Sequence, residues 1–291
     1  MIDFIVNPTA GGKHGKKIRK TLCAIEKILG EKKIDYRLHK TNVKGDARTI
    51  TQTLTENGAT DVVVIGGDGT LHEVLNGFSN FDKVNMGIIP CGTGNDFASA
   101  LLLPENPEKA LDIILNCTPK YTDFMQMPTV RGMNVIGMGI DVDVLKRYEA
   151  LKKKTKFKYT TCLIKTLFNF KCVEFSAEVD GQKNDYHSLV VCIANGFRYG
   201  GGIKVCPVAN PGDGKLNFLA VDDMKKLRII KAFIKLKKGK ILTMKEAEHK
   251  PAESVKITPK GDYVVNVDGE LYENIPFEVK VVSNVLKIYR P

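Results

Sequence analysis

The stretch Asp61-Val62-Val63-Val64-Ile65-Gly66-Gly67-Asp68-Gly69-Thr70 joins a β-branched apolar run directly to a polar, glycine-rich segment. Such a run is typical of a buried strand, and the helical spacing of apolar residues over Leu71–Phe78 predicts a helix after it. Glycines at this junction let the backbone approach an anion closely, and the amides that open the helix attract negative charge. The stretch therefore predicts a phosphate-binding loop, Gly66–Thr70, in an α/β fold.

Residues 1–122 repeat this alternation of strands and helices. The remaining predicted strands are Ile2–Val6, Tyr36–His39 and Met86–Ile89, and the predicted helices are 18–29, Ala47–Leu54 and Pro107–Asn116. Alternation of this kind predicts parallel βαβ units in a three-layer α/β domain, with ligands outside the carboxyl ends of the strands. Residues 284–291, which include the strand-like run Val285–Tyr289, could complete this domain.

Residues 123–283 have a different texture, because strand-like runs dominate and turn signals such as Asp180-Gly181 separate them. The predicted strands are Asn134–Met138, Val173–Val179, Ser188–Ala194, Leu216–Val221, Val255–Thr258, Tyr263–Val267 and Phe277–Val282. This pattern predicts a second, mainly antiparallel β domain.

Two more polar, glycine-rich loops follow apolar runs, namely Asn7-Pro8-Thr9-Ala10-Gly11-Gly12 and Pro90-Cys91-Gly92-Thr93-Gly94-Asn95-Asp96. Any one of them is compatible with an ordinary strand-to-helix turn, but three at successive strand ends favour a shared phosphate site. Asp68 and Asp96 would repel a phosphate unless a divalent cation lay between them, so the loops also predict Mg²⁺. Neither G-x-x-x-x-G-K-[ST] nor a complete G-x-G-x-x-G is present.

The net charge of +11 is concentrated in two segments. Residues 146–171 carry nine Lys or Arg and one acid, and residues 225–245 carry nine and no acid. Both have apolar residues at helical spacing, which is compatible with helices that pack on a sheet and expose lysines, or with docking on anionic lipid. Nucleic acid is disfavoured, because few stacking aromatics stand among the lysines.

The seven cysteines are scattered with no C-x-x-C pair, and the five histidines lie near no cysteine pair. This pattern is typical of reduced thiols, and no zinc site is expected. No apolar run approaches eighteen residues, and the first residues enter a strand without a basic, cleavable leader. A cytoplasmic protein is expected.

Taken together, these segments resemble the diacylglycerol kinase catalytic family, which includes bacterial soluble diacylglycerol kinases, related lipid kinases and sphingosine kinases. Gly66–Glu73 is similar to the family's G-G-D-G-T-x-x-E, Asn7–Gly11 to N-P-x-[SA]-G, and Pro90–Phe97 to P-x-G-T-x-N-D-F. Tyr199–Gly214 resembles Y-G-G-G…P-x-A-x-x-x-D-G, and Val267–Glu270 resembles V-D-G-E. NAD kinases and phosphofructokinases share the G-G-D-G core, so the resemblance implies their type of α/β domain.

The resemblance also implies roles for individual residues. Asp68 and Asp96 would be needed for activity through the Mg²⁺ that accompanies ATP, and Glu270 would be the general base. A second, structural Mg²⁺ would be bound by Asn210, Asp213 and Lys215, although this chain has Gly212 where the family often has an acid. The implied ATP site comprises Asn7, Pro8, Thr9, Ala10, Gly11, Thr41, Gly66, Gly67, Asp68, Gly69, Thr70, Leu71, His72, Glu73 and Thr93.

Glu270 has a second interpretation, because Asp268-Gly269 between two β-type runs is a strong hairpin signal. On that interpretation Glu270 is only a solvated residue after the turn. Phosphoryl transfer, however, needs a carboxylate near the acceptor hydroxyl, and the resemblance favours that role for Glu270.

The resulting prediction is an ATP- and Mg²⁺-dependent lipid kinase, peripheral to the membrane, that converts diacylglycerol to phosphatidate. A related kinase would act on phosphatidylglycerol, ceramide or a sphingoid base. An NAD kinase would leave the matches at Pro90–Phe97 and Tyr199–Gly202 unexplained. A catalytically silent, membrane-associated nucleotide sensor would have no need of Glu270. The resemblance is also compatible with a homodimer.

Overall fold

The computed structural model describes residues 1–11, 15–151, 156–167 and 170–291, apart from the side chains of residues 156, 157, 226 and 227. Gly12 of the first predicted loop and residues 152–155 and 168–169 of the first basic segment lie outside the described residues. The chain divides into an N-terminal unit, Met1–Asp123 with Ser283–Pro291, and a C-terminal unit, Phe124–Val282.

The described residues contain fifteen strands and eight α-helices. The strands are β1 (Ile2–Val6), β2 (Tyr36–Lys40), β3 (Asp61–Gly66), β4 (Asn85–Pro90), β5 (Lys120–Gln126), β6 (Arg131–Gly132), β7 (Val135–Gly139), β8 (Val173–Val179), β9 (Gln182–Ala194), β10 (Leu216–Asp222), β11 (Ala247–Ala252), β12 (Ser254–Pro259), β13 (Val264–Val267), β14 (Glu270–Glu273) and β15 (Glu278–Ile288). The helices are α1 (Lys16–Glu31), α2 (Asp46–Glu56), α3 (Asp68–Gly77), α4 (Asp96–Ala100), α5 (Pro107–Asn116), α6 (Ile140–Glu149), α7 (Lys156–Leu167) and α8 (Lys226–Lys237).

The N-terminal unit is built on a parallel sheet in the order β4-β3-β1-β2, with the end of β15 beside β4. Residues 62–65 of β3 are completely buried, as expected for a strand covered by helices on both faces. One face, with Phe4 and Val63, shares a core with α1 and α5, while α2 and α3 pack against each other and against β1 and β3.

The C-terminal unit is mainly antiparallel, with the strand order β14-β13-β7-β9-β8-β12-β15. The long strand β9 also pairs with β10, which in turn pairs with β11. The alternation of buried and exposed residues along β8 matches its period-2 sequence pattern. The predicted fold class, an α/β unit followed by a mainly antiparallel β unit, is therefore confirmed.

The last predicted strands differ from those observed. Phe277–Val282 and Val285–Tyr289 were expected as two strands, but β15 runs without a break from Glu278 to Ile288. Its first residues pair antiparallel with β12, and Lys287 and Ile288 pair parallel with β4. The intervening Ser283-Asn284 resembles a turn in sequence, yet Asn284 is accommodated within the strand at a positive φ of 59°.

Strand β11 was not predicted, because its sequence Ala-Glu-His-Lys-Pro-Ala has no apolar alternation. Proline lacks the N–H that a central strand needs, so Pro251 fits only where one side of the strand is not paired. Among the described strands, β11 pairs with β10 alone, which satisfies that condition.

The basic segments include helical regions. Segment 146–171 contains the end of α6 and all of α7, and segment 225–245 contains α8. Among the helices of the described residues, none combines the length and the apolar composition needed to cross a bilayer.

Candidate active site

Asn7, directly after β1, connects the glycine-rich loop that it begins to the loop Gly66–Thr70 by hydrogen bonds. Its backbone N–H donates to the Ile65 carbonyl at 3.1 Å, and its Nδ2 donates to Thr70 Oγ1 at 3.1 Å. Its Oδ1 accepts from the Thr9 amide and hydroxyl at 3.0 and 2.8 Å. Asn7 therefore holds the loop after β1 against the start of α3, and the polar ends of β1 and β3 form one structure.

The loops Gly66–Thr70 and Pro90–Asp96 are in contact at one glycine of each, Gly67 and Gly92. A Cβ on Gly67 would lie 2.9 Å from the Gly92 Cα, and a Cβ on Gly92 would lie 2.5 Å from the Gly67 Cα. Both obstacles are backbone atoms, so no side-chain movement could relieve the clash. The Cys91 amide also donates to the Gly66 carbonyl at 2.7 Å. Glycine is therefore required at both positions for the two loops to approach this closely.

The two predicted magnesium ligands converge on Gly94. A Cβ placed there would lie 2.7 Å from Asp68 Oδ2 and 3.4 Å from Asp96 Oδ2. Asp68 Oδ1 also accepts from the Phe97 amide at 3.4 Å, and Asp96 is buried at 4% exposure. Two carboxylates that converge beside glycine-rich loops suit a hard divalent cation, which prefers oxygen ligands. The residues present therefore fit Mg²⁺.

Other residues of the implied ATP site make structural contacts or are buried. Glu73 accepts from the Gly45 and Ala47 amides at 3.0 and 3.2 Å, so its carboxylate caps the start of α2. The Thr41 amide donates to the Val6 carbonyl at 2.9 Å, which places Thr41 beside the end of β1. Leu71 and His72 are buried at 3% and 5% exposure.

The remaining members differ in exposure. Thr9, Gly11, Gly69 and Thr93 are exposed at the loop surface, whereas Ala10, Gly66 and Thr70 are buried. Gly11 has a positive φ of 77°, and a Cβ there would meet the Cys91 carbonyl at 2.7 Å. The direct contact of each residue with ATP stays a prediction.

In the C-terminal unit, Glu270 follows a tight hairpin turn and begins β14. Asp268 and Gly269 both have positive φ, at 54° and 98°, as a type I′ turn requires. Val267 is the cross-strand partner of Glu270. The hairpin and the general-base interpretations are therefore compatible. The turn fixes the position of the Glu270 backbone at the start of β14, from which its carboxylate extends.

The turn is held by the side chains of Asp268, which belongs to the predicted hairpin turn, and of Asn266, which belongs to no predicted motif. Asp268 accepts from the amides of residues 133, 134 and 135 at 2.6, 2.8 and 3.1 Å. Asn266 Oδ1 accepts from the Gly269 amide at 2.8 Å, and its Nδ2 donates to Asp141 Oδ2 at 3.0 Å. The sequence contains only a weak signal for this hydrogen-bond network. Asp268 lies within V-D-G-E, and Asn266 and Asp141 are polar residues inside apolar runs.

Asp141 is the buried end of this network. Burial raises its pKa to about 6, against the opposing effect of the hydrogen bond from Asn266. Asp141 is thus a buried, titratable group that is joined to the Glu270 turn through Asn266. Its ionisation is expected to change the stability of the turn.

The predicted structural magnesium ligands lie in the exposed loop before β10. Asp213 Oδ1 accepts from the Lys215 amide at 3.0 Å, and the Asn210 carbonyl accepts from the Gly212 amide at 2.8 Å. The Lys215 ammonium pairs with Glu253 at 2.5 Å, so only its backbone carbonyl is suited to a cation. With Gly212 in place of an acid, this loop offers one carboxylate, fewer than the Asp68–Asp96 pair. Cation binding here stays a prediction.

Comparison with known proteins identifies the family. The family model described as the diacylglycerol kinase catalytic domain matches residues 2–127. The model described as the YegS C-terminal NAD kinase beta sandwich-like domain matches residues 134–290, more than half of the chain. The chain belongs to the diacylglycerol kinase catalytic family.

Individual relatives match this chain over nearly its whole length. The chain is 27% identical over 300 residues to the "Diacylglycerol kinase" of Mycobacterium tuberculosis, a match that covers 100% of this chain and 95% of that protein. It is 28% identical over 284 residues to a "Putative lipid kinase" of Staphylococcus epidermidis, covering 94% and 92%. A solved structure named as a "putative diacylglycerol kinase" from Bacillus anthracis superimposes with a TM-score of 0.82 at 25% identity, covering 100% and 97%.

Proposed function

We propose that this protein is an ATP- and Mg²⁺-dependent lipid kinase that phosphorylates a lipid hydroxyl, with diacylglycerol as acceptor and phosphatidate as product. The convergence of Asp68 and Asp96 on Gly94, beside the glycine-rich loop that follows β1, carries the proposal. This convergence lies within the region that matches the diacylglycerol kinase catalytic domain.

In the proposed reaction, the acceptor oxygen bonds to the γ-phosphorus as the bond to the bridging oxygen breaks, and ADP leaves. The exposed amides of the loops bind the phosphates, and Glu270 accepts the hydroxyl proton. Asp68 and Asp96 would hold the Mg²⁺, which supplies charge neutralisation on the phosphate oxygens. The structural Mg²⁺ at Asn210, Asp213 and Lys215 would order the loop before β10.

Diacylglycerol is proposed on the names of the family model and of the mycobacterial relative. The rivals within the family are phosphatidylglycerol, ceramide and sphingoid bases, which also present a hydroxyl on an apolar body. These acceptors differ in the groups around that hydroxyl, so a direct comparison of products will separate them.

The deciding experiment is transfer of label from γ-radiolabelled ATP to a panel of these four lipid classes and to a mixed lipid extract. We expect labelled phosphatidate, with Asp68→Asn as the background control. Label on another lipid would show that the acceptor is not diacylglycerol, while the proposed lipid kinase activity would stand. Binding of ATP with no labelled lipid in any arm would contradict the proposal and favour a nucleotide sensor.

The basic segments 146–171 and 225–245 are proposed to dock on anionic lipid. On α8, Ile229 and Ala232 are buried, while Ile230 and Ile234 are 47% and 49% exposed among lysines. Exposed apolar residues on a basic helix suit an interface with acidic headgroups, where each basic residue contributes on the order of 1 kcal/mol. Co-sedimentation with anionic but not with zwitterionic vesicles is expected. Binding that ignores lipid charge would contradict this role.

A further inference from the structure

Three side chains with metal-ligand chemistry meet at one end of the C-terminal unit. They are Cys172 immediately before β8, His187 within β9, and Asp223 immediately after β10. One potential ligand atom from each lies within 4.8 Å of the other two. The residues are far apart in sequence, and no spacing rule for metal sites would have grouped them.

Strand register explains why these residues meet. Glu174 of β8 is the cross-strand partner of His187, and Cys172 lies two residues earlier, on the same face by the alternation of side chains. On the other side of β9, the β10 register shifts at Asp222, which pairs with Ser188. The Asp223 amide then donates to the His187 carbonyl at 3.3 Å. The sheet itself therefore brings the three side chains together.

The surroundings of the cluster are electronegative. Burial raises the pKa of the half-buried Cys172 thiol to about 12, and the Asp223 and Asp222 carboxylates add to this effect. His187 and Asp223 are exposed and line an open polar depression of about 500 Å³ together with Asp222. A divalent cation would reverse this electrostatic situation, because coordination ionises a thiol and neutralises nearby carboxylates.

We propose that Cys172, His187 and Asp223 form a binding site for a borderline-soft divalent cation, with Zn²⁺ as the leading candidate. A sulfur, an imidazole nitrogen and a carboxylate oxygen are the three ligand types that Zn²⁺ combines in tetrahedral sites. Mg²⁺ prefers oxygen ligands, so this site is chemically distinct from those predicted at Asp68–Asp96 and at Asp213.

With three protein ligands, the fourth ligand of a tetrahedral site would be a water molecule. A three-ligand site of this kind is expected to exchange its metal more readily than a closed four-ligand site.

The location of the cluster suggests its role. Cys172 directly follows the basic segment 146–171, and Asp223 lies two residues before the basic segment 225–245. A bound cation would tie both of these connections to β9. It would thereby restrict the points at which the two proposed lipid-docking segments join the sheet.

The first test is titration of the metal-stripped full chain with Co²⁺, followed by displacement with Zn²⁺. We expect one thiolate-to-cobalt charge-transfer band per chain, lost in Cys172→Ser and retained in Cys23→Ser, whose exposed thiol lies in the N-terminal unit. His187→Asn and Asp223→Asn should each weaken Zn²⁺ binding by about tenfold or more. Absence of the band, or its persistence in Cys172→Ser, would overturn the proposal.

The second test needs no variant, so it holds even if a substitution disturbs folding. X-ray absorption of the wild-type Zn²⁺ protein should show one sulfur ligand at about 2.3 Å with nitrogen and oxygen ligands at about 2.0–2.2 Å. A shell of nitrogen and oxygen alone would exclude Cys172 and overturn the proposal. Neither measurement involves lipid phosphorylation, so its outcome is independent of the proposed kinase activity.

Discussion

At the scale of single residues, the candidate base depends on its neighbours. The Asp268 carboxylate accepts hydrogen bonds from three consecutive amides, and Asn266 accepts one from the Gly269 amide. Four hydrogen bonds therefore fix the turn that precedes Glu270. A carboxylate that accepts several amides is a strong, directional anchor. The hairpin signal in the sequence and the proposed catalytic role therefore describe one arrangement.

The first prediction concerns Glu270→Gln, which keeps the shape of the side chain and removes its basicity. We expect a folded protein that binds ATP and loses roughly 10²–10⁴-fold in kcat, the usual contribution of a general base. Glu273→Gln, an exposed acid at the other end of β14, is the matched control and should keep its turnover. Near-normal turnover in Glu270→Gln would remove Glu270 from the mechanism.

The second prediction concerns pH and Asp141. Its folded pKa of about 6 lies above the ordinary 3.8, so its contribution to stability is fully present below about pH 3.8 and is lost as the pH rises through 6. A shift of this size corresponds to about 3 kcal/mol at most. Denaturant unfolding from pH 4 to pH 8 should show the wild type losing stability relative to Asp141→Asn. Parallel curves for the two proteins would contradict the pKa shift.

At the scale of elements, the three loops form one site because glycine and asparagine occupy the contact points. Asn7 bridges the loops after β1 and β3, and Gly67 and Gly92 bring the loops after β3 and β4 into backbone contact. These contacts explain the need for glycine at these two positions, and some glycines elsewhere in the chain are unconstrained. Gly30, for example, has open space around a Cβ.

The third prediction is that Gly92→Ala weakens ATP binding by about tenfold or more, which corresponds to about 1.4 kcal/mol. The added Cβ would clash with the Gly67 backbone and separate the two loops. Isothermal titration should detect the loss, and Gly30→Ala in α1 should bind ATP as the wild type does. Unchanged binding in Gly92→Ala would mean that the loop contact does not contribute to the ATP site.

The fourth prediction concerns the exposed isoleucines of α8. The double variant Ile230→Ser, Ile234→Ser should bind anionic vesicles at least about tenfold more weakly, since each buried side chain contributes roughly 1.5–3 kcal/mol. Val43→Ser, which alters an exposed apolar residue of the N-terminal unit, should not change binding. Equal binding by the double variant and the wild type would exclude insertion of this face.

At the scale of the whole molecule, the N-terminal unit is assembled from both ends of the chain. Leu286 and Ile288 are completely buried, Tyr289 donates its hydroxyl proton to Asp61 at 2.5 Å, and Arg290 donates to the Tyr121 carbonyl at 2.8 Å. The parallel sheet therefore lacks its fifth strand until residues 287 and 288 have been synthesised.

The fifth prediction is that ending the chain after Val282 destabilises the N-terminal unit by roughly 3–6 kcal/mol, from the loss of two buried aliphatic side chains. Thermal unfolding should show a lower midpoint, whereas deletion of Pro291 alone should have no effect. An unchanged midpoint in the truncated chain would show that the returning strand is dispensable.

The sequence by itself determined the fold class, most strand positions and the positions of the three glycine-rich loops. These features follow from local rules: apolar periodicity marks what is buried, and glycine marks where the backbone must turn or approach an anion. The resemblance added candidate roles for Asp68, Asp96 and Glu270. The weakly patterned strands β5, β6, β11 and β14 were not predicted, because their residues become strands only by pairing with neighbours.

Only the tertiary structure decided which distant side chains meet. The cap of α2 by Glu73, the network of Asp141, Asn266 and Asp268, and the cluster of Cys172, His187 and Asp223 all join residues far apart in sequence. For the cluster the physical reason is strand register, whereas the cap and the network also depend on helix packing, of α2 against α3 and of α6 against β13. A period-2 pattern states which face a residue occupies, but pairing across strands decides which residues stand opposite one another.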